Sequence, residues 1–77
     1  MEEFWTVVEI QITSDGAISS HTLDPQNYDN AIGEYYRSLS TGATNGMPYH
    51  STYLISSRRG QVKFNIYDRR PILPKEA

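Results

Sequence analysis

The chain has 77 residues and no cysteine, so it supports a single hydrophobic core, and a disulfide framework, a thiolate nucleophile and Cys-ligated zinc are excluded. Hydrophobic residues make up 38% and the nine aromatics include six tyrosines, which is a globular rather than a disordered composition; aliphatic runs stop at two residues, as at Val7–Val8, far short of a membrane span. The net charge of −2 is too small for a DNA mimic and of the wrong sign for a nonspecific DNA binder.

Residues 4–13 are rich in β-branched side chains, with Val8, Ile10 and Ile12 alternating with Glu9, Gln11 and Thr13, which predicts a strand. Ser14-Asp15-Gly16 then closes a hairpin. A three-residue loop with Gly16 in the left-handed conformation pairs Ile12 with Ile18 and Glu9 with His21, whereas a two-residue turn would set Ile12 against Ser19, so the three-residue loop is favoured. The second strand, residues 17–23, is short and polar, as an edge strand is.

Asp24-Pro25 offers an N-cap followed by proline at the first helical position, with Asn27 as the competing cap. Tyr28, Ala31, Ile32, Tyr35, Tyr36, Leu39 and Ala43 fall on one stripe of a helix. Gly33 and Gly42 each weaken that helix by about 1 kcal/mol and suit close approach to a sheet. Thr44-Asn45-Gly46 ends it, and Pro48 blocks its resumption. Residues 49–56 and 61–67 make a second hairpin around Ser57-Arg58-Arg59-Gly60; a four-residue loop matches Ile55 with Val62 and Tyr53 with Phe64 on one apolar face, leaving His50, Thr52, Leu54, Lys63, Asn65 and Tyr67 on the other. Residues 1–70 therefore read as a single α+β domain of ββαββ order, a four-stranded, mainly antiparallel sheet with one helix packed on one face. Residues 71–77 read as a flexible, proline-containing tail whose P-x-x-P spacing, Pro71 to Pro74, lacks the basic residue an SH3 ligand needs.

One helix covers one face of a sheet. If Val8, Ile10 and Ile12 face the helix, then Trp5, Val7, Leu23 and Leu54 form an apolar patch on the far side, larger than most monomers expose. A homo-oligomer joined through that face or by edge pairing is expected, with Trp5, Val7, Leu23 and Leu54 as its interface; the alternative is that Trp5 wraps over the sheet end and the rest is ordinary surface.

Charge is segregated along the chain. Residues 1–36 hold seven acidic residues and no lysine or arginine, whereas residues 37–77 hold all seven cations against Asp68 and Glu76. Attraction between the two halves of one sheet is the plainer consequence; a bipolar surface that steers an anion or another copy is the sharper one. Arg58 and Arg59 at the second hairpin's tip, Lys63 along its strand and Arg69-Arg70 beyond it, with Tyr49 and Tyr67 among them, are candidates for a nucleotide-like anion: guanidinium for phosphate and tyrosine for a base. Nucleic acid itself is not expected. His21 and His50 are the only imidazoles, and neither lies in a pattern of metal ligands, so no metal site and no cofactor are expected. His21 opposite Glu9 reads as a cross-strand pair, and without a nucleophile elbow or a phosphate loop no catalytic residue is assigned.

Phe4-Trp5-x-Val7-Val8-Glu9, Ser14-Asp15-Gly16, Pro48-Tyr49-His50 and Tyr67-Asp68-Arg69-Arg70 together resemble a group of short proteins encoded in prophages and related mobile elements of gut Firmicutes, over about residues 4–70. The tail here is longer and contains proline, and the helix has glycines where that group has alanines. No catalytic residue or cofactor comes with the group; what the resemblance implies is a setting, that of an accessory of the virion or lysis region or an inhibitor of a host defence system. The expectation is a non-enzymatic, phage-type interaction protein that self-associates and binds a partner protein. Its alternatives are an oligomer that sequesters a nucleotide-like anion and a small virion accessory protein. The acidic start Met1-Glu2-Glu3, the reverse of a secretory leader, adds the expectation of a cytoplasmic protein of the bacterial host cell.

Overall fold

The computed structural model describes residues 2–71; the proposed tail, apart from Pro71, lies outside the described residues. Strand β1 (Trp5–Ile12) is followed by β2 (Ile18–Thr22), helix α1 (Tyr28–Thr44), β3 (Tyr49–Ser56) and β4 (Gly60–Asp68). All neighbouring strands are antiparallel, in the order β2-β1-β3-β4, and α1 packs across β1 and β3 on one face. This is the α+β, ββαββ architecture that the alternation and the single helical stripe predict.

The first hairpin has the expected register, Ile12 with Ile18 and Glu9 with His21. Gly16 takes φ +89°, the left-handed value that lets its N–H reach the Thr13 carbonyl at 3.0 Å while Thr13 and Ala17 close the ladder. Asp15 braces the turn by accepting from the Thr13 hydroxyl and the Ala17 N–H, and these bonds hold its carboxyl below the usual range.

The helix starts later than Asp24-Pro25 suggests. Trp5 and Gln26 exchange backbone hydrogen bonds of 2.8 Å in both directions, which keeps the chain extended through residue 26. Asn27 is therefore the N-cap, its side-chain oxygen accepting from the Asn30 N–H at 2.9 Å. The second hairpin also departs from expectation. Ser56 pairs with Gly60, which adopts φ +74°, so the loop has three residues, and Ile55 faces Gln61. Val62 is left as a bulge, and the ladder regains the expected pairing at Tyr53 and Phe64.

The largest correction concerns the two sheet faces. Trp5, Val7 and Leu54 point toward the helix, not away from it, and are 7%, 0% and 0% exposed. With Ala31 and Tyr35 they form the core, and Leu23, Ile32 and Leu39 pack against it. The expected interface of Trp5, Val7, Leu23 and Leu54 is thus the interior of the domain. The indole lies 4.9 Å from the Tyr28 ring in an edge-to-face arrangement, and the Arg59 guanidinium lies over it at 5.9 Å. The physical reason is that burying Trp5 removes more apolar area from water than any other choice, and a shift of one residue in strand facing moves every side chain with it. Val8, Ile10 and Ile12, together with Tyr53 and Phe64, accordingly occupy the uncovered side.

Candidate interaction surface

Two places in the fold concentrate chemistry. The first is a polar network between α1 and the sheet. Ser38, on the helix stripe that also buries Ala31, Tyr35 and Gly42, donates to the Glu9 carboxylate and lies 2.7 Å from the Thr52 hydroxyl and 3.3 Å from His50 Nε2. On the other side of the ring, Asn45 Nδ2 lies 3.4 Å from His50 Nδ1. The Asn45 Oδ1 already accepts the Met47 N–H at 3.1 Å, which fixes the amide's orientation and makes its nitrogen the donor to Nδ1. Nε2 then carries the ring hydrogen. Every group is served: the Ser38 oxygen accepts from Thr52 and His50 and gives its own proton to Glu9. No imidazole lone pair is aimed at the Ser38 hydroxyl, as a nucleophile and its base would require. Ser38, His50 and Thr52 are buried, so the network replaces water for polar groups that the narrow helix contact covers.

The second place is the uncovered sheet face. Across the strands in β2-β1-β3-β4 order, its rows read Ile18, Ile12, Tyr49 and Asp68; then Ser20, Ile10, Ser51 and Ile66; then Thr22, Val8, Tyr53 and Phe64. Thr6, Ile55 and Gln61 make the next row toward the second hairpin, with Val62 in the bulge beside it. Ile18 is 73% exposed, Phe64 58%, Ile66 45% and Val62 43%. The Tyr53 and Phe64 rings stack at 6.4 Å with 21° between their planes. The surface is mainly apolar over β1, β3 and β4, interrupted by Ser51 at its middle and by Thr6 and Gln61 toward the second hairpin, and it turns polar at β2. Its single charged member, Asp68, sits at a corner, where Arg70 Nε and Nη2 clasp the carboxylate at 2.9 Å each and hold its pKa at about 2. Arg70 also lies 4.7 Å over the Tyr49 ring.

The sequence-derived anion residues do not converge. Arg58 and Arg59 stand at the β3–β4 loop and Arg69 and Arg70 at the opposite end of β4, about 30 Å away along nine residues of strand. Three of the four guanidiniums are already occupied. Arg59 Nε bonds Glu3 at 3.0 Å, Arg70 holds Asp68, and Arg69 reaches the carbonyls of Gly42, Ala43 and Met47 while lying over Tyr67. Arg69 thereby caps the C-terminus of α1, whose last turn holds no basic residue of its own. Lys63 and Tyr67 lie on the helix side of β4, between the two ends. Arg58 is exposed at the loop.

The sequence carries the uncovered face as apolar pairs, Tyr53 with Phe64 and Ile55 with Val62, of which the structure keeps the first and sets Ile55 against Gln61, and the expected facing puts that side under the helix. The available signal was its lack of charge: Val8, Ile10, Ile12, Tyr53, Ile55, Phe64 and Ile66 are all uncharged, whereas Glu9, Gln11, His50, Thr52, Lys63 and Asn65 share the other side. Among the described residues no group of three or more His, Asp or Glu could hold a metal ion, and no helix is long and apolar enough to cross a membrane. Comparisons with protein-family models, with curated proteins and with solved structures return no match for this chain.

Proposed function

We propose that the protein is a non-enzymatic interaction module that works through the uncovered sheet face, and that the first occupant of that face is a second copy of the same chain. The observation that carries this reading is a largely apolar surface on the side opposite α1, whose one charged member, Asp68, lies at a corner and is paired with Arg70. Four strands about 4.8 Å apart and eight residues at about 3.3 Å each make a face of about 500 Å² in plan. Two copies laid face to face therefore bury about 1,000 Å² in total, the lower limit for a specific interface. A patch whose only charged member is a paired aspartate at its corner is also complementary to itself. Glu9 points to the helix side and Asp29 and Glu34 ride on the helix, so these three find themselves outside such a pair, while Asp68, the acidic group on the face, sits at its corner and is held by Arg70.

The paired module would then present its remaining surface, including the exposed Arg58 at the loop, to a partner protein, in the prophage-type setting that the sequence resemblance implies. The nucleotide-like anion reading has less behind it, because its four arginines stand at two ends of the sheet with three of them already bonded and Lys63 alone between them.

Multi-angle light scattering at micromolar concentration tests the reading. The wild-type chain is expected at a multiple of the 8.8 kDa monomer mass. Ile10→Lys, and Ile18→Lys at a far more exposed position on the same face, should lower that mass while leaving the circular dichroism spectrum intact. Trp5→Ser, in contrast, should unfold the domain, since removing a buried tryptophan costs about 3–5 kcal/mol. A wild-type chain that stays monomeric at these concentrations overturns the proposal.

A further inference from the structure

The two edges of the sheet are unequal. Strand β2 has five residues, four of them Ser, His or Thr, and its shortness protects it from pairing with other strands. Strand β4 has nine residues, and its devices against pairing, the Val62 bulge and Lys63, are confined to the end near the loop. From Phe64 to Tyr67 no proline, bulge or charge interrupts it.

The ladder shows which backbone groups this edge offers. Arg69 N–H bonds the Pro48 carbonyl at 2.7 Å, which makes that pair a hydrogen-bonded one, and antiparallel pairs alternate between bonded and non-bonded. Tyr67, Asn65 and Lys63 therefore spend their backbone groups on β3. Those of Phe64, Ile66 and Asp68 are turned away from the sheet.

We propose that β4 is a second self-association surface, pairing antiparallel with β4 of another copy about a two-fold axis at Asn65. In that register Phe64 exchanges backbone hydrogen bonds with the other copy's Ile66, and Ile66 with its Phe64. Lys63 faces Tyr67, so no like charges meet. Asn65 faces its own counterpart. Its Nδ2 is buried and has no hydrogen-bond partner within the described chain, and the opposing amide supplies an oxygen acceptor once the side chain turns toward the axis. Moving the axis to Ile66 would instead set Lys63 against Arg69. The result is a continuous eight-stranded sheet, with the apolar faces of both copies on one side. Combined with the face pairing proposed above, on which this step of assembly rests, it gives a closed tetramer of two eight-stranded sheets with every helix outside.

Native mass spectrometry of five variants separates the two contacts. Ile66→Pro deletes an outward N–H that the chain's own ladder does not use, so the domain keeps its fold while the edge loses its central donor. Ile66→Thr makes a similar cut in the side chain but keeps the donor. The wild type is expected as four copies, Ile66→Thr likewise, Ile66→Pro and Ile10→Lys each as two, and the double variant Ile10→Lys/Ile66→Pro as one. Asn65→Asp, which sets two carboxylates face to face on the axis, should also give two copies at neutral pH and provides the test if the proline variant fails to fold. Equal masses for wild type, Ile66→Pro and Asn65→Asp overturn the edge pairing. If Ile10→Lys still halves the mass in that case, the face pairing stands without it. If Ile66→Pro halves the mass and Ile10→Lys leaves it unchanged, the edge stands and the face reading fails.

Discussion

A Cβ added to Gly42 would lie 2.6 Å from Cδ2 of the His50 ring and 2.9 Å from Cδ2 of Tyr67. The helix crosses the sheet at its closest here, and only a residue without a side chain fits between α1 and the imidazole. Gly33, nine residues earlier on the same helix, would meet nothing within 4 Å. The two glycines therefore call for opposite outcomes. Gly42→Ala should overpack the contact by about 1–3 kcal/mol, more than the roughly 1 kcal/mol gained in helix propensity. Gly33→Ala should stabilise by up to about 1 kcal/mol. In a domain of this size each kcal/mol moves the melting temperature by about 4–8 °C, so thermal unfolding of the two variants reads the difference directly. Equal shifts of the same sign would contradict the close approach.

Arg69 closes the last turn of α1 from outside the helix, through carbonyl bonds of 2.7 Å to Gly42 and 2.8 Å to Met47. Arg69→Ala should cost about 1–2 kcal/mol, because charge-assisted bonds to exposed carbonyls fall at the lower end of their range. Arg69→Lys should recover only part of this, since an ammonium group lacks the planar fork that spans three carbonyls. Hydrogen exchange supplies the local readout. In Arg69→Ala, protection should fall first at amides of the last helical turn and the residues just beyond, and an unchanged pattern there would contradict the capping role.

The Asp68–Arg70 pair makes a pH-dependent contribution whose sign is fixed. Asp68 has its pKa lowered from 3.8 to about 2, first by the Arg70 side-chain hydrogen bonds and then by the Arg70 N–H. A carboxyl with a depressed pKa stabilises the folded chain fully above its unfolded value, and that contribution disappears as pH falls from about 4 through 2. Both partners are exposed, so the effect is small and salt-sensitive. Carbon-detected NMR titration should place the Asp68 midpoint below that of an ordinary aspartate. Asp68→Asn should flatten the loss of stability over that interval.

Local chemistry made much of this fold readable in the sequence. Ser14-Asp15-Gly16 set the first hairpin because a single glycine in the left-handed region and two matched pairs, Ile12 with Ile18 and Glu9 with His21, agree on one register. The helix cap could not be chosen that way. Asp24 and Asn27 are comparable caps in isolation, and the choice falls to the Trp5–Gln26 backbone pair between residues 21 apart in the chain. The sheet facing was harder still. Both sides of β1 are apolar at one end, Trp5 and Val7 on one and Val8 and Ile10 on the other, so period-two alternation carries no preference. Burial of the Trp5 indole decides it, and Ser38 and Gly42 are small enough to let Glu9, His50 and Thr52 find partners beneath the helix. Those partners come from three separate elements, which no short-range pattern records.

The arrangement in which β4's far end fastens α1 also bears on how the chain is made. Half of the middle strand's neighbours and the clamp on the helix come from residues beyond 48, after the helix has already been synthesised. A ribosome-bound chain emerging up to β2 and α1 holds an unzipped central strand and a frayed helix end. In vectorial synthesis the strand that completes the sheet and the arginine that holds the helix end are therefore the last parts of the fold to be added.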